Sequence, residues 1–556
     1  MSGNRLAEPG TIGRLAIRNR MVMAPMISNL CDPDGLTNEN HISYLEERAK
    51  GGAGLIITEY AYINSRNSKG SRNQMGFYND DFTPKFRRLT ERIHRQGAHV
   101  FAQLVHAGGK ALYAEGGLRP FAPSAVDYMG TTPSEMSLDD IESVISDFVR
   151  AAKLARGSNF DGVELHGAHG YLIQEFLSPA LNRREDGYGG SLQGRLRFAQ
   201  EIVDAIRAEV DIALGIRLSL YEDDPDGYGP DYGISVAESL KSVDYVHFSA
   251  GRFAPPGSSI SFYGNRTHIA ARLPKKPAVK TIVVGSVTSA EDAAVVLEKA
   301  DFVAVGRAML ADPFFSGKVI AGLVVPRPCI RCNQACRDIT YGEVRCTVNP
   351  STGLEAVRHP ERKAAGKLDI AGAGVKGMEA AICAARAGLE VTIHDVRDDI
   401  GGQLLDITDE AKKREFGKLI DYYRQELKLL GVKIILGSRF SGSGLYCLPD
   451  RKYDPLPRGR SITVDTSIYQ HHDEILAIAG ETEITVSERS LRSLDRVRAM
   501  AYRKIAESKG VVFTGRSDLK FDVVMHEARQ YDILAAMVSG REAAERYIER
   551  LGKGHT

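Results

Sequence analysis

Along its first 310 residues the chain alternates between two hydrophobic patterns. Short apolar runs rich in β-branched residues recur as NRMVMAPM (19–26), GLIITEYAYI (54–63), HVFAQLVHAG (99–108), GVELHGAHG (162–170), ALGIRLSLYE (213–222), YVHFSAG (245–251), KTIVVGSVT (280–288) and FVAVGRAML (302–310). Runs of this length and composition read as buried strands. Between them the apolar positions recur every three to four residues, as in DDFTPKFRRLTERIHRQG, SLDDIESVISDFVRAAKLARGSNF and SLQGRLRFAQEIVDAIRAEV. Several of these stretches open with Asp or Ser, whose side-chain oxygen accepts from the unpaired N–H groups of a helix's first turn. Eight such repeats predict an α/β fold in which the first part is a TIM (β/α)8 barrel, with a doubly wound sheet as the weaker reading.

The pattern then changes. Residues 326–366 hold a cysteine-rich segment followed by the polar, turn-rich NPSTGLEAVRHPERKAAGK. From Lys367 a new unit is expected to run to residue 556. LDIAGAGVKGMEAAICAARAGLEVTIHD presents an apolar strand, then Gly372, Gly374 and Gly377 in GxGxxG spacing, then a helix, a second strand and Asp395. Glycines alone are weak evidence. A strand before them, a helix after them and an acid in place make a Rossmann-like dinucleotide fingerprint, with a pyrophosphate on the helix N-terminus and Asp395 on a ribose hydroxyl. No second GxGxxG follows, so the expected domains are a barrel (1–325), a cysteine segment with linker (326–366) and one nucleotide-binding unit (367–556) without a recognisable second NAD(P)H domain.

Composition narrows the function. A chain of 556 residues exceeds what one core supports. Lys+Arg total 72 against Asp+Glu 71, and no segment gathers the basic stripe that nucleic acid requires. Neither a signal peptide nor an apolar stretch of membrane-spanning length stands out, so a soluble cytoplasmic protein is expected. Seven cysteines, three of them scattered as Cys31, Cys383 and Cys447, do not form a secreted disulfide framework.

In a barrel, chemistry collects where strands end. The strand ends here bring Ala24, Pro25 and Met26, Glu59 and Tyr60, Gln103 and His106, His166 with His169 and Tyr171, Arg217, Ser249, Gly285 with Ser286, and Gly306 with Arg307. Small residues at the last two ends, with Arg307 beside them, suit a phosphate held by backbone N–H groups. The four clustered cysteines, Cys329, Cys332, Cys336 and Cys346, form a set of thiolates that suits either tetrahedral zinc or an iron–sulfur cluster. Only one CxxC knuckle is present, which favours the cluster on spacing.

MVMAPM, FAQLVHAGGK, DGVELHGAHGYLIQEFLSPALNRREDGYGGS, GIRLS and VAVGRAMLADP, spread over nearly the whole barrel, resemble the old yellow enzyme family of FMN-dependent reductases. The resemblance implies that Ala24, Pro25, Met26, Tyr60, Gln103, Arg217, Gly285, Ser286, Gly306 and Arg307 hold FMN. It also implies that His166 and His169 hydrogen-bond a substrate carbonyl and that Tyr171 is the proton donor. His247 is read as structural. Ile27 departs from the family, whose members often carry Thr or Cys there. CIRCNQAC followed by CTVNP is similar to the [4Fe–4S] motif of the subgroup containing 2,4-dienoyl-CoA reductase and trimethylamine dehydrogenase, which makes the four cysteines cluster ligands. IGGQL, with Gly402 and Gln403, resembles the same subgroup, whose nucleotide domain binds FAD or ADP; EILAIAG faintly resembles a strand closing a flavin-binding half.

The expected activity is reduction of the C=C bond of an α,β-unsaturated carbonyl compound or enoyl thioester. The partner would be an electron donor or acceptor protein such as a ferredoxin or an electron-transfer flavoprotein, and a homo-oligomer is compatible with the chain. A second reading is an amine or N-methyl dehydrogenase sending electrons outward; a third is a non-catalytic electron-transfer subunit.

Overall fold

The computed structural model describes residues 5–111, 119–127, 132–222, 226–251, 272–322, 324–337, 342–357, 363–407, 410–448, 455–493, 496–516, 518–525 and 532–553. The chain divides into two compact units. One comprises residues 1–329, 333–346 and 351–358, the other residues 330–332, 347–350 and 359–556. Cys329, Cys336 and Cys346 therefore belong to the first unit and Cys332 to the second.

The first unit is a closed barrel of eight parallel strands: β1 (Met21–Met23), β2 (Leu55–Tyr62), β3 (His99–Val105), β4 (Gly162–Gly167), β5 (Ala213–Ser219), β6 (Tyr245–Ser249), β7 (Lys280–Val284) and β8 (Phe302–Val305). They neighbour one another in sequence order, and β8 meets β1 with Val303 opposite Met21. Each apolar run holds one strand, and each strand stops before its run does. The chain leaves the sheet at the C-terminal mouth while its residues remain buried. Below the mouth, Val22, Leu55, Ile57, Phe101, Ile282 and Phe302 pack into one core together with Ile12 and Ile17 of an N-terminal hairpin. Burying each such side chain contributes about 1.5–3 kcal/mol.

The longer helices of this unit among the described residues are α1 (Glu39–Lys50), α2 (Thr83–Arg95), α3 (Leu138–Gly157), α4 (Leu192–Glu209), α5 (Pro230–Ser239) and α6 (Ala290–Lys299). The polar residues at their starts act as expected. Ser137 Oγ accepts from Asp140 N (3.1 Å) while Asp140 Oδ2 accepts from Ser137 N (2.9 Å), a reciprocal cap on α3. The pairing of β2 with β3 shifts between Ile57 and Tyr60, an irregularity of the kind that re-aims side chains. It falls on Thr58 and Glu59, just before Tyr60 pairs with Gln103, and no strand-period pattern announces it. A five-residue helix, α7 (Arg307–Ala311), follows β8 directly.

The second unit carries two four-stranded parallel sheets. The first contains β9 (Lys367–Ala371), β10 (Glu390–His394), β11 (Lys433–Ile435) and β12 (Leu445–Tyr446), ordered β11-β10-β9-β12. Helix α8 (Val375–Arg386) joins β9 to β10 and α9 (Glu410–Leu429) joins β10 to β11. The second sheet contains β13 (Ser461–Thr466), β14 (Glu483–Ser487), β15 (Val512–Thr514) and β16 (Val523–Met525), in the same relative order, with α10 (Tyr469–Ile478) and α11 (Arg496–Ser508) between strands. The sequence reading takes residues 367–556 as one nucleotide-binding unit without a recognisable second NAD(P)H domain; the described residues there form these two sheets. The fold repeats, but its first strand–helix turn reads Asp465-Thr466-Ser467 where β9 is followed by glycines. EILAIAG likewise proves to be the end of α10 and the turn after it. The terminal helix α12 (Ile533–Lys553) packs on α8, close enough that a Cβ on Gly540 would lie 2.2 Å from Lys376 O. Among the described residues no helix is long and apolar enough to cross a membrane.

Candidate active site

The mouth is organised around a carboxylate that the sequence did not single out. Glu164 on β4 is fully buried; its Oε1 accepts from Gln103 Nε2 (2.6 Å), and its Oε2 accepts from Tyr245 OH (3.0 Å) and lies 3.0 Å from His247 Nδ1. Burial alone would raise this carboxyl, but His247, Arg217 and Gln103 bring it below the usual range. His247 is thus held as a structural partner. Arg217 on β5 donates to Ser249 Oγ (3.3 Å), and burial pushes its guanidinium down to about 10 despite Glu164.

His166, His169 and Tyr171 come together on the loop after β4. The ring of His166 lies 5.2 Å from that of His169 and 4.9 Å from that of Tyr171, and Tyr60 stands 5.2 Å from Tyr171. His169 adopts a left-handed backbone (φ 60°), a conformation costing a non-glycine residue about 1–2 kcal/mol. Ser219 Oγ accepts from its N–H at 3.1 Å, and Lys110 Nζ donates to its carbonyl at 2.5 Å. His169 Nε2 lies 2.7 Å from Ser249 Oγ. Burial, reinforced by Arg217, holds both imidazoles well below their ordinary pKa, so they stand neutral and present N–H groups. Burial also raises the Tyr171 phenol, while a hydrogen bond from Tyr60 and the charges of Arg337 and Arg217 oppose it.

The small strand ends follow β7 and β8, which stand between β6 and β1 in the closed barrel. Ser286 takes a left-handed backbone (φ 55°) after β7. A Cβ on Gly306 would lie 2.9 Å from Met26 Sδ, so a side chain there would have to displace the thioether. Ala24 N donates to Val305 O at 3.0 Å, joining the Pro25–Met26 turn to the end of β8. Arg307 Nη1 donates to Asn333 Oδ1 at 2.5 Å.

Among the described residues, four buried polar atoms around the mouth have no partner: Gln103 Oε1, His166 Nδ1, Arg217 Nε and His247 Nε2. Each unmet group costs about 1–3 kcal/mol. A ring edge that alternates carbonyl oxygens with ring nitrogens and an N–H, as the pyrimidine end of a flavin does, offers both the donors and the acceptors they lack. The residues present fit FMN.

The cysteine segment fits its expected group by donor chemistry. Cys329, Cys332 and Cys346 are buried and Cys336 is half-buried. In the second unit Gly372 takes a positive φ (107°), and a Cβ on Gly377 would lie 1.9 Å from Gly372 O, the close helix–strand approach of a nucleotide turn. Gly374 is the N-cap of α8, and Gly402 packs against it, with Gln403 beyond in the same short turn. Asp395 Oδ2 accepts from Ala373 N at 2.6 Å, so it braces the glycine loop.

Two further groups close on themselves. His106 lies 3.1 Å from Asn67 Oδ1 and accepts from Gly108 N, and burial pushes it down to about 3. Cys31 Sγ lies 3.4 Å from His41 Nδ1 and 4.0 Å from Glu59 Oε1. Thr37 Oγ1 lies 2.9 Å from His41 Nδ1, and Glu59 accepts from Met75 N and Ser28 N, while His41 Nε2 is buried without a partner among the described residues. This knot holds the loop after β1 to β2. Residues 252–271, which contain most of the FAPPGSSISFYGNRTHIAARL loop, lie outside the described residues.

Residues 5–325 match the model of the NADH:flavin oxidoreductase / NADH oxidase family. The chain belongs to that family. It is 37% identical over 454 residues to an NADH oxidase of Thermoanaerobacter brockii, covering 78% of this chain and 69% of that one. It is 32% identical over 470 residues to a cinnamate reductase of Clostridium sporogenes, covering 78% of this chain and 70% of that one. A solved 2-naphthoyl-CoA reductase bound to 2-naphthoyl-CoA superposes with a TM-score of 0.84 at 23% identity, over 97% of this chain and 99% of that one, a likeness of fold. The protein is an FMN-dependent oxidoreductase of the old yellow enzyme type.

Proposed function

We propose that the protein reduces the C=C bond of an α,β-unsaturated carbonyl compound or enoyl thioester. The carrying observation is the trio at the mouth: His166 and His169 within 5.2 Å of one another, both neutral, with Tyr171 4.9 Å from His166. FMN, when bound, supplies a hydride to the substrate carbon β to the carbonyl. Gln103, Arg217 and Tyr60 would seat the ring with Pro25 and Met26; Gly285, Ser286, Gly306 and Arg307 would hold the phosphate. Negative charge then gathers on the substrate oxygen, and the two imidazole N–H groups stabilise it where it forms. Tyr171 gives its phenolic proton to the α-carbon and recovers it from solvent, so the product gains one hydride and one proton. Neutral donors act over the whole physiological range.

Cys329, Cys332, Cys336 and Cys346 would hold a [4Fe–4S] cluster, which supplies electrons one at a time. Gly372, Gly374, Gly377, Asp395, Gly402 and Gln403 would hold the ADP portion of FAD, or ADP itself. The kinship with a cinnamate reductase supports a conjugated acid or thioester as substrate.

The test is anaerobic. Protein reduced with methyl viologen is mixed with an enone or an enoyl thioester, and flavin absorbance is followed. Rapid reoxidation with one saturated product per turnover supports the proposal. Bleaching of the oxidised flavin by secondary or tertiary amines, with no response to enones, would sink it.

A further inference from the structure

The cysteine segment is fastened to the barrel at two neighbouring places. Within the first unit, Val344 N donates to Ser28 O (2.8 Å) and Asn29 Nδ2 donates to Gly342 O (3.1 Å), both on the loop that follows β1. Arg307, the residue that opens α7 after β8, donates to Asn333 Oδ1 (2.5 Å). Strands β8 and β1 are neighbours in the closed barrel. The segment thus grips the same two strand ends whose loops carry Met26 and Gly306.

Asn333 is suited to fixing a neighbour. It is 4% exposed and held in a left-handed backbone (φ 49°) directly after Cys332. Asn tolerates that region better than other side chains, but it still carries a cost that surrounding structure must offset. Its amide oxygen accepts from one face of the guanidinium. Such a contact restricts a long, rotamer-rich side chain before any ligand arrives, and the entropy of ordering Arg307 is then not lost on binding.

We propose that Asn333 is a positioning residue for Arg307, and that the cysteine segment thereby sets how tightly the barrel holds the phosphate of its FMN. This rests on the reading of Arg307 as a phosphate ligand. No bond is made or broken.

The experiment compares two flavins that differ only in the phosphate. Full-length protein is stripped of flavin, and the affinities of FMN and riboflavin are measured by quenching of flavin fluorescence, with iron counted in the same samples. Arg307→Ala is expected to weaken FMN about tenfold or more and to leave riboflavin unchanged. Asn333→Gly suits the left-handed backbone and removes only the side chain. It is expected to weaken FMN about three- to tenfold, again without effect on riboflavin. Combined with Arg307→Ala it should add nothing, because its effect passes through Arg307. Asn333→Ser serves as a second variant should the loop not tolerate glycine. Wild-type FMN affinity in both Asn333 variants, with Arg307→Ala impaired, overturns the proposal and spares the phosphate reading. An unchanged FMN-to-riboflavin ratio in Arg307→Ala overturns that reading itself. Equal weakening of both flavins by the Asn333 variants, or a loss that adds to that of Arg307→Ala, means a collapsed loop and also overturns the proposal.

Discussion

The barrel carries one histidine pair at each end, and the two are treated in opposite ways. At the N-terminal end, His94 Nε2 lies 2.8 Å from Asp161 Oδ2, and His99 Nδ1 lies 3.0 Å from the same carboxylate, which also accepts from Val100 N. That carboxylate is held well below its ordinary range by the two imidazoles, against burial, and it raises His99 in turn. At the mouth, His166 and His169 have no carboxylate partner among the described residues; burial keeps them neutral and His166 Nδ1 is unmet. Residue type is the same at both ends. What separates a structural pair from a candidate catalytic one is whether the fold sets an ionised carboxylate against it or leaves it neutral in a buried mouth.

The strongest way to break this comparison lies beside the mouth pair. Tyr171→Phe is expected to lower anaerobic double-bond reduction by about 10²- to 10⁴-fold with flavin content unchanged, since only the transferable proton is removed. Retained turnover would deny it that role.

A buried but satisfied group at the mouth should behave as structure. Glu164→Ala leaves Gln103, Tyr245 and His247 without their shared acceptor. Breaking such a buried network costs about 3–5 kcal/mol, read from urea unfolding of the first unit.

His166→Ala and His169→Ala are each expected to cost about 10²- to 10³-fold in turnover, the usual loss on removing one donor to an oxyanion. His94→Ala and His99→Ala should leave turnover within about twofold, the mouth lying at the far end of the strands. With the mouth histidines neutral, kcat/KM should show no limb from their ionisation between about pH 6 and 8.

The smallest effect is the most diagnostic, because the two ends respond to pH with opposite sign. His99 has a raised folded pKa, so its contribution to stability is complete below the unfolded value of 6.5 and fades as pH rises through the folded value. His169 has a depressed folded pKa. The unfolded chain then binds the extra proton, and stability is lost as pH falls below 6.5. His99→Asn should therefore cost more at pH 6 than at pH 8, by about 0.2–1 kcal/mol. His169→Asn should gain relative to the parent on acidification. Melting temperatures of the parent and both variants at pH 6 and pH 8 check both signs.

Much of this was legible beforehand. Every apolar run of the first 310 residues holds a strand, and the loop after β4 brings His166, His169 and Tyr171 together as their spacing suggested. Glu164 was passed over because one acid inside GVELHG looks like any inward strand residue until Gln103, Tyr245 and His247, from three other positions in the chain, converge on it. Asn333 was passed over because its partner Arg307 lies 26 residues away. The second sheet escaped notice for a different reason: Asp465-Thr466-Ser467 replaces the glycine signature, although the strand order is kept. A turn motif marks what a nucleotide fold binds, whereas short parallel strands alone specify the fold too weakly to stand out.

By itself the sequence determined the barrel, the glycine turn after β9 and the chemical types gathered at each end, since periodicity and local backbone requirements are written residue by residue. Only the tertiary structure decided which polar groups are satisfied and which stand open. Hydrogen-bond partners in a closed barrel come from strands far apart in the chain, and the energy of an unmet buried atom depends on all of them at once.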